Sequence, residues 1–116
     1  MRISVRSDRC EIIYELNDSR AAEELYAQLP LATKVEPFSN NEMTFYPKRL
    51  STKGTPLSGG KPGSLSYYEP WGDVVMFYAP CMPNGSLYEL GTVVSGEEFI
   101  ESLSGIITVS PYEEEE

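Results

Sequence analysis

Apolar and polar residues alternate almost from the first position. Ile3 and Val5 sit between polar neighbours, the SDRC stretch turns the chain, and Ile12, Tyr14 and Leu16 resume the alternation. RISVRSDRCEIIYEL therefore predicts two strands. Asn17-Asp18-Ser19 then offers short polar side chains able to accept an orphan amide proton of a first helical turn. The following RAAEELYAQL is rich in helix formers and brings Ala21, Ala22, Leu25, Tyr26 and Leu29 to one side. It predicts a helix that begins near Asp18, ends before Pro30 and packs Leu25 and Leu29 onto a sheet.

Beyond Pro30 the pattern returns to strands. LATKVEPF and EMTFYP are divided by Ser39-Asn40-Asn41, and LSYY and DVVMFYA by the turn EPWG. A turn through Pro80, Pro83, Asn84 and Gly85 leads to SLYELGTVV, and GIITVS closes the series. GEEFIESL reads as a second, short helix with Ser95 as its cap. Along DVVMFYA, alternation assigns Val75 and Phe77 to the core and Val74, Met76 and Tyr78 to the opposite face. About eight short strands with two helices and no repeats argue for a barrel or sandwich. Between Lys48 and Gly63 runs a loop containing Gly54, Gly59 and Gly60, long enough to be expected mobile and close to a binding groove.

Composition narrows the classes. At 116 residues, 41% apolar and 23% charged, the chain suits one globular domain with its own core. Nearly half of the net charge of −9 lies in Glu113–Glu116. Residues 1–112 are accordingly read as the domain and 113–116 as a solvated acidic tail. Nucleic acid is not an expected partner, because the loose basic set Lys48, Arg49, Lys53 and Lys61 makes no stripe for phosphates. No apolar run reaches the length of a membrane span, and Met1 leads directly into a strand pattern, so a cytoplasmic location away from the membrane is expected. Cys10 and Cys81 have no CxxC spacing and no His beside them to complete a zinc set. Two reduced thiols are preferred to a disulfide. No cofactor or metal is called for, and oligomeric state is not readable.

The absence of His removes the Ser-His-Asp and Cys-His mechanisms, which need an imidazole base. Ser58-Gly59-Gly60-Lys61 fails the phosphate-loop pattern: its glycine spacing is one residue too long, and Pro62 stands where Ser or Thr belongs. Glu23-Glu24 and Glu97-Glu98 read as solvated helix charge. Glu42 and Glu69 stand out because both adjoin apolar strands, although a carboxylate at a strand end is ordinarily a surface group. The densest signal is aromatic: Phe45-Tyr46, Tyr67-Tyr68, Trp71 and Phe77-Tyr78. Alternation sends one member of each pair inward and one outward. The plain reading is half core and half barrel surface, and the functional one is an aromatic-rimmed groove for a peptide or small ligand.

The words LNDSRAAEELYAQLPL, NNEMTFYPKRLSTKGTP, GSLSYYEPWGDVVMFYA and LYELGTVVSG, in that order and spacing, resemble the bacterial cyclophilin-like domain family, the minicyclophilin-type barrels. The resemblance runs from Leu16 to Gly96. It implies a mostly-β fold: a closed eight-stranded barrel with one main helix over an open end and one short helix. It also implies a groove near Tyr46, Arg49, Tyr68, Trp71, Met76 and Tyr78, with Arg49 catalytic only if the domain isomerises X–Pro bonds. The strand matching the one that bears the cyclophilin arginine reads Met43-Thr44-Phe45-Tyr46-Pro47, and Arg49 follows a proline that should end it. Two functions follow: a non-catalytic domain binding a peptide or small ligand, or a weak peptidyl-prolyl isomerase.

Overall fold

Ser7 pairs with Cys10 across a two-residue turn in which Asp8 adopts φ 48°, a left-handed conformation that Asp tolerates. This turn joins β1 (Arg2–Ser7) to β2 (Cys10–Leu16) in a computed structural model that describes residues 1–113. The expected tail residues Glu114–Glu116 lie outside the described residues. The chain continues through α1 (Arg20–Tyr26), β3 (Leu31–Lys34), β4 (Glu36–Phe38), β5 (Glu42–Phe45), β6 (Ser64–Tyr68) and β7 (Asp73–Phe77). β8 (Leu87–Ser95), a 3-10 helix (Glu97–Ser102) and β9 (Ile106–Tyr112) complete it. All strands join one antiparallel sheet in the order β3-β9-β1-β2-β8-β6-β7-β5-β4.

The sheet curls into a nearly closed barrel of nine strands rather than eight, because LATKVEPF divides at Val35. Its amide turns away to donate to Gly105 O at 2.9 Å, and its side chain is buried in the core. The two edge strands, β3 and β4, are thus successive in the chain and joined through one residue. Inside lie Ile3, Val5, Ile12, Tyr14, Phe45, Leu65, Tyr67, Leu90, Ile107 and Val109, every one fully buried. β8 changes register against β6 between Leu65 and Ser66. A Cβ on Gly91 there would fall 2.3 Å from Glu15 O, so β2 and β8 approach closely only because this residue has no side chain.

Helix α1 packs Ala21, Ala22 and Leu25 into the barrel core. The Ser19 hydroxyl accepts a hydrogen bond from Ala22 N at 3.2 Å and is itself steadied by Asn17 Oδ1, so the polar triplet does begin the helix. The second helix is of 3-10 type, and its first flanking residue is Gly96, at φ 83° with no side-chain cap. Ser95 is the last residue of β8 and does not act as the cap.

Two expectations are corrected. On β7, Val74 and Met76 enter the barrel core, while Val75 and Phe77 face outward into a second, small apolar cluster with Leu87. The loop from Lys48 to Gly63 is docked. Ser58 N donates to Leu87 O and Glu89 N to Pro56 O, each at 2.8 Å, Leu50 N donates to Tyr67 Oη at 3.1 Å, and Ser51 N to Glu24 Oε1 at 2.8 Å. Gly60 O accepts from Cys81 N at 2.8 Å. A Cβ on Gly60 would meet Cys81 O at 2.4 Å, so this contact also requires glycine.

Candidate functional site

The outward side chains of β5, β6, β7 and β8 meet over a patch that is neither core nor open surface. Strand alternation puts Glu42, Tyr68, Asp73, Val75, Phe77 and Leu87 on this side of the wall, and the β4–β5 ladder sets Phe38 opposite Glu42. Cys81 and Asn84, from the loop between β7 and β8, and Trp71, from the β6–β7 turn, border the patch. Together they enclose a cleft of about 210 Å³.

Its walls are held from several directions. Trp71 meets Phe38 edge to face with ring centroids 5.0 Å apart, and Tyr68 at 5.7 Å. The β7–β8 loop is tied to Asn41, whose carbonyl accepts from Tyr78 N and Ala79 N and whose Nδ2 donates to Pro80 O, and to Gly60, whose carbonyl accepts from Cys81 N. Asn84 Oδ1 accepts from Ser86 N at 2.8 Å, closing a local turn.

The charged groups of the cleft are acids, beside the Asn84 amide, the Tyr68 hydroxyl and the Cys81 thiol. Asp73 is 2% exposed and Glu42 9%, and Asp73 Oδ1 has no hydrogen-bond partner. Desolvation, with the Asp73 charge adding to it, pushes Glu42 up to about 7. Desolvation likewise pushes Asp73 up to about 6, against the pull of its own backbone amide. Burial, and then the Glu42 charge, raises the Cys81 thiol, although Asn41 acts in the opposite direction. Cys10 and Cys81 are free thiols. Among the described residues, no three metal-ligating side chains converge on one point.

Of the six residues expected at a groove, Tyr68 and Trp71 line the cleft. Met76 is fully buried in the barrel core, and Tyr78 packs against that core from the end of β7. Tyr46 is 52% exposed and borders a separate hollow of about 550 Å³ with Ala27, Gln28, Leu31, Pro47 and Lys48. That hollow is larger, and the Gln28 amide in its wall already exchanges hydrogen bonds with the Lys48 backbone. Arg49 lies against the β6–β7 turn. Its Nη1 donates to Glu69 O at 3.0 Å, and a Cβ on Gly72 would lie 3.3 Å from its Cζ. Glu69, exposed, accepts from the Thr52 hydroxyl. Phe38, Asp73, Val75, Phe77, Cys81, Asn84 and Leu87 were not expected at the site. Glu42 carried a signal as a carboxylate beside an apolar strand, and Phe77 as a member of an aromatic pair, expected in the core.

Comparison with known proteins fits this architecture. Among curated proteins nothing matches the chain. Among the described residues, no helix is long and apolar enough to cross a membrane. A hypothetical protein from Archaeoglobus fulgidus, determined in solution, superimposes with a TM-score of 0.71 at 16% identity over 97% of this chain and 95% of its own. The likeness is one of fold. The model of the cyclophilin-like family matches residues 5–110, which include every strand that builds the cleft. The chain belongs to the cyclophilin-like family.

Proposed function

We propose that this domain binds, without transforming, a small molecule or a single side chain of a peptide in the cleft beside Trp71. The observation that carries the reading is the second apolar cluster. Val75, Phe77 and Leu87 are almost fully buried outside the barrel core and underlie a concavity rimmed by Phe38, Tyr68 and Trp71. Apolar concavities with a few convergent polar groups are the usual form of ligand sites. At about 210 Å³ the cleft falls below the range of about 300–1,000 Å³ typical of drug-sized ligands, which favours one ring or one side chain.

Isomerase chemistry finds less support. Twisting an X–Pro bond must overcome a barrier of about 18–20 kcal/mol set by amide resonance. A catalyst lowers it with a fixed donor aimed at the prolyl nitrogen. Arg49 is engaged by Glu69 O, and no Lys or Arg lines the cleft. At the outward position of β5 between Glu42 and Tyr46, the Thr44 hydroxyl donates to Glu36 O. In a chymotrypsin-coupled assay on a short X–Pro peptide, wild type and Arg49→Ala are expected to match the uncatalysed rate. Robust turnover lost in the variant would establish an isomerase.

Binding can be followed with the chain's own probes, its one Trp and its two thiols. Benzyl alcohol is expected to change Trp71 emission saturably and to slow alkylation of Cys81 while Cys10, on β2, keeps its own rate. An unsaturable response together with equal, unchanged alkylation of both thiols would count against the cleft as a ligand site.

A further inference from the structure

We infer that the cleft selects an ammonium group carried on an aromatic or short apolar body over a neutral molecule of the same shape. This rests on the cleft being a ligand site. Asp73 supplies the first observation: its carboxylate borders the cleft, is 98% buried by its 2% exposure, and keeps Oδ1 without a hydrogen-bond partner. Buried acceptors are nearly always paired, so such an oxygen calls for a donor that the chain itself does not bring. Glu42 supplies the second. It faces Phe77 across the β5–β7 ladder, whereas Asp73 stands four residues back on the same face of β7. The two acids border one cleft from neighbouring strands, near enough for the Asp73 charge to raise Glu42.

No described ion pair involves either acid, and the lining contains no Lys or Arg. The remaining walls are mainly the rings of Phe38, Tyr68, Trp71 and Phe77, with Val75, Leu87, Cys81 and Asn84 between them. Ring faces attract cations, and carboxylates accept the hydrogen bonds of an ammonium, so both kinds of wall favour the same guest. A neutral alcohol of equal size gains the apolar contact but satisfies neither charge.

Binding should then tighten with pH. Both acids are pushed up toward neutrality by burial, and an arriving cation favours their ionised forms. The other charged or titratable groups around them are Cys81, on the β7–β8 loop, near Glu42, Tyr46, after β5, near Asp73, with Glu36 on β4 near Tyr46, and Arg49, whose guanidinium lies against Gly72. Of these only Arg49 is a cation; it is engaged by Glu69 O and does not line the cleft. A free amine and the lysine side chain of a peptide share this chemistry, and the test separates them.

Calorimetry would compare benzylamine, benzyl alcohol and N-acetyl-lysine methylamide on wild type, Asp73→Asn and Glu42→Gln, at pH 5 and pH 8. Benzylamine is expected to bind at least tenfold more tightly than benzyl alcohol at pH 8, with the preference shrinking severalfold at pH 5. In Asp73→Asn the preference should fall toward unity, and Glu42→Gln gives the same reading should Asp73→Asn not fold. Tighter binding of the lysine derivative than of benzylamine assigns the ammonium to a peptide, and the reverse order to a free amine. Equal affinity of wild type for benzylamine and benzyl alcohol overturns the inference and leaves the ligand site standing. Binding of none of the three overturns both.

Discussion

Truncating Tyr67 to alanine is expected to cost about 3–5 kcal/mol, the range for removing a large aromatic from a packed interior. The ring is fully buried in the barrel and belongs to the same core as Phe45, Leu65 and Val74. Its hydroxyl also accepts from Leu50 N at 3.1 Å, so it anchors the start of the loop from Lys48 to Gly63. Tyr67→Phe keeps the packing and removes only the acceptor. It should cost about 1–3 kcal/mol, the penalty for leaving a buried donor unpaired. Urea titrations of both variants read the two contributions. Costs of less than 1 kcal/mol for both would mean that Tyr67 is not in the core and that the strand faces are misplaced.

The second large effect is electrostatic, and its sign is unusual for carboxylates. Asp73 and Glu42 titrate near 6 and 7 in the folded protein, above their ordinary values. In the unfolded chain they return to about 3.9 and 4.3. Below about pH 4 both states hold these protons, and the native state bears no penalty from them. As pH rises through the folded values, the unfolded chain has already released protons that the native state must give up inside a dry cleft, and stability falls. With one pKa unit equal to about 1.36 kcal/mol, Asp73→Asn should stabilise the protein at pH 8 by about 1–3 kcal/mol and do almost nothing at pH 4. Chemical denaturation at the two pH values checks this. Destabilisation of the variant at pH 8 would show that Asp73 is paired and charged in the native state.

These acids also mark where the sequence stops being informative. The β1–β2 hairpin and the start of α1 at Ser19 were legible because turn and capping chemistry is local. The faces of β7 were not. All five residues of Asp73–Phe77 are buried, so a strand covered on both sides carries no alternation to say which side is the barrel. The same double covering hid the cleft. Phe38 on β4, Cys81 and Asn84 in the β7–β8 loop and Leu87 on β8 converge only through the β4–β5 and β6–β8 ladders and the tied loop. Asp73 follows Gly72 at a turn, where a carboxylate is ordinary. Trp71 and Tyr68 stood out in the sequence through the clustering of aromatics, a signal that needs no tertiary information, and both line the cleft.

Arg49 illustrates the converse. Its position in the chain, close after the strand resembling the cyclophilin arginine strand, made it the natural catalytic candidate. Pro47 ends β5 before it, and the chain that follows carries its guanidinium to the carbonyl of Glu69. The cleft is lined by acids and rings, and no Lys or Arg is among its lining residues.

The most direct test is a crystal structure of the protein grown with saturating benzylamine. The account predicts one ordered molecule in contact with Trp71, Tyr68 and Val75, its nitrogen within hydrogen-bond distance of Asp73 or Glu42. A cleft left empty at saturation, with the molecule found only in the hollow between Gln28 and Tyr46, would contradict it.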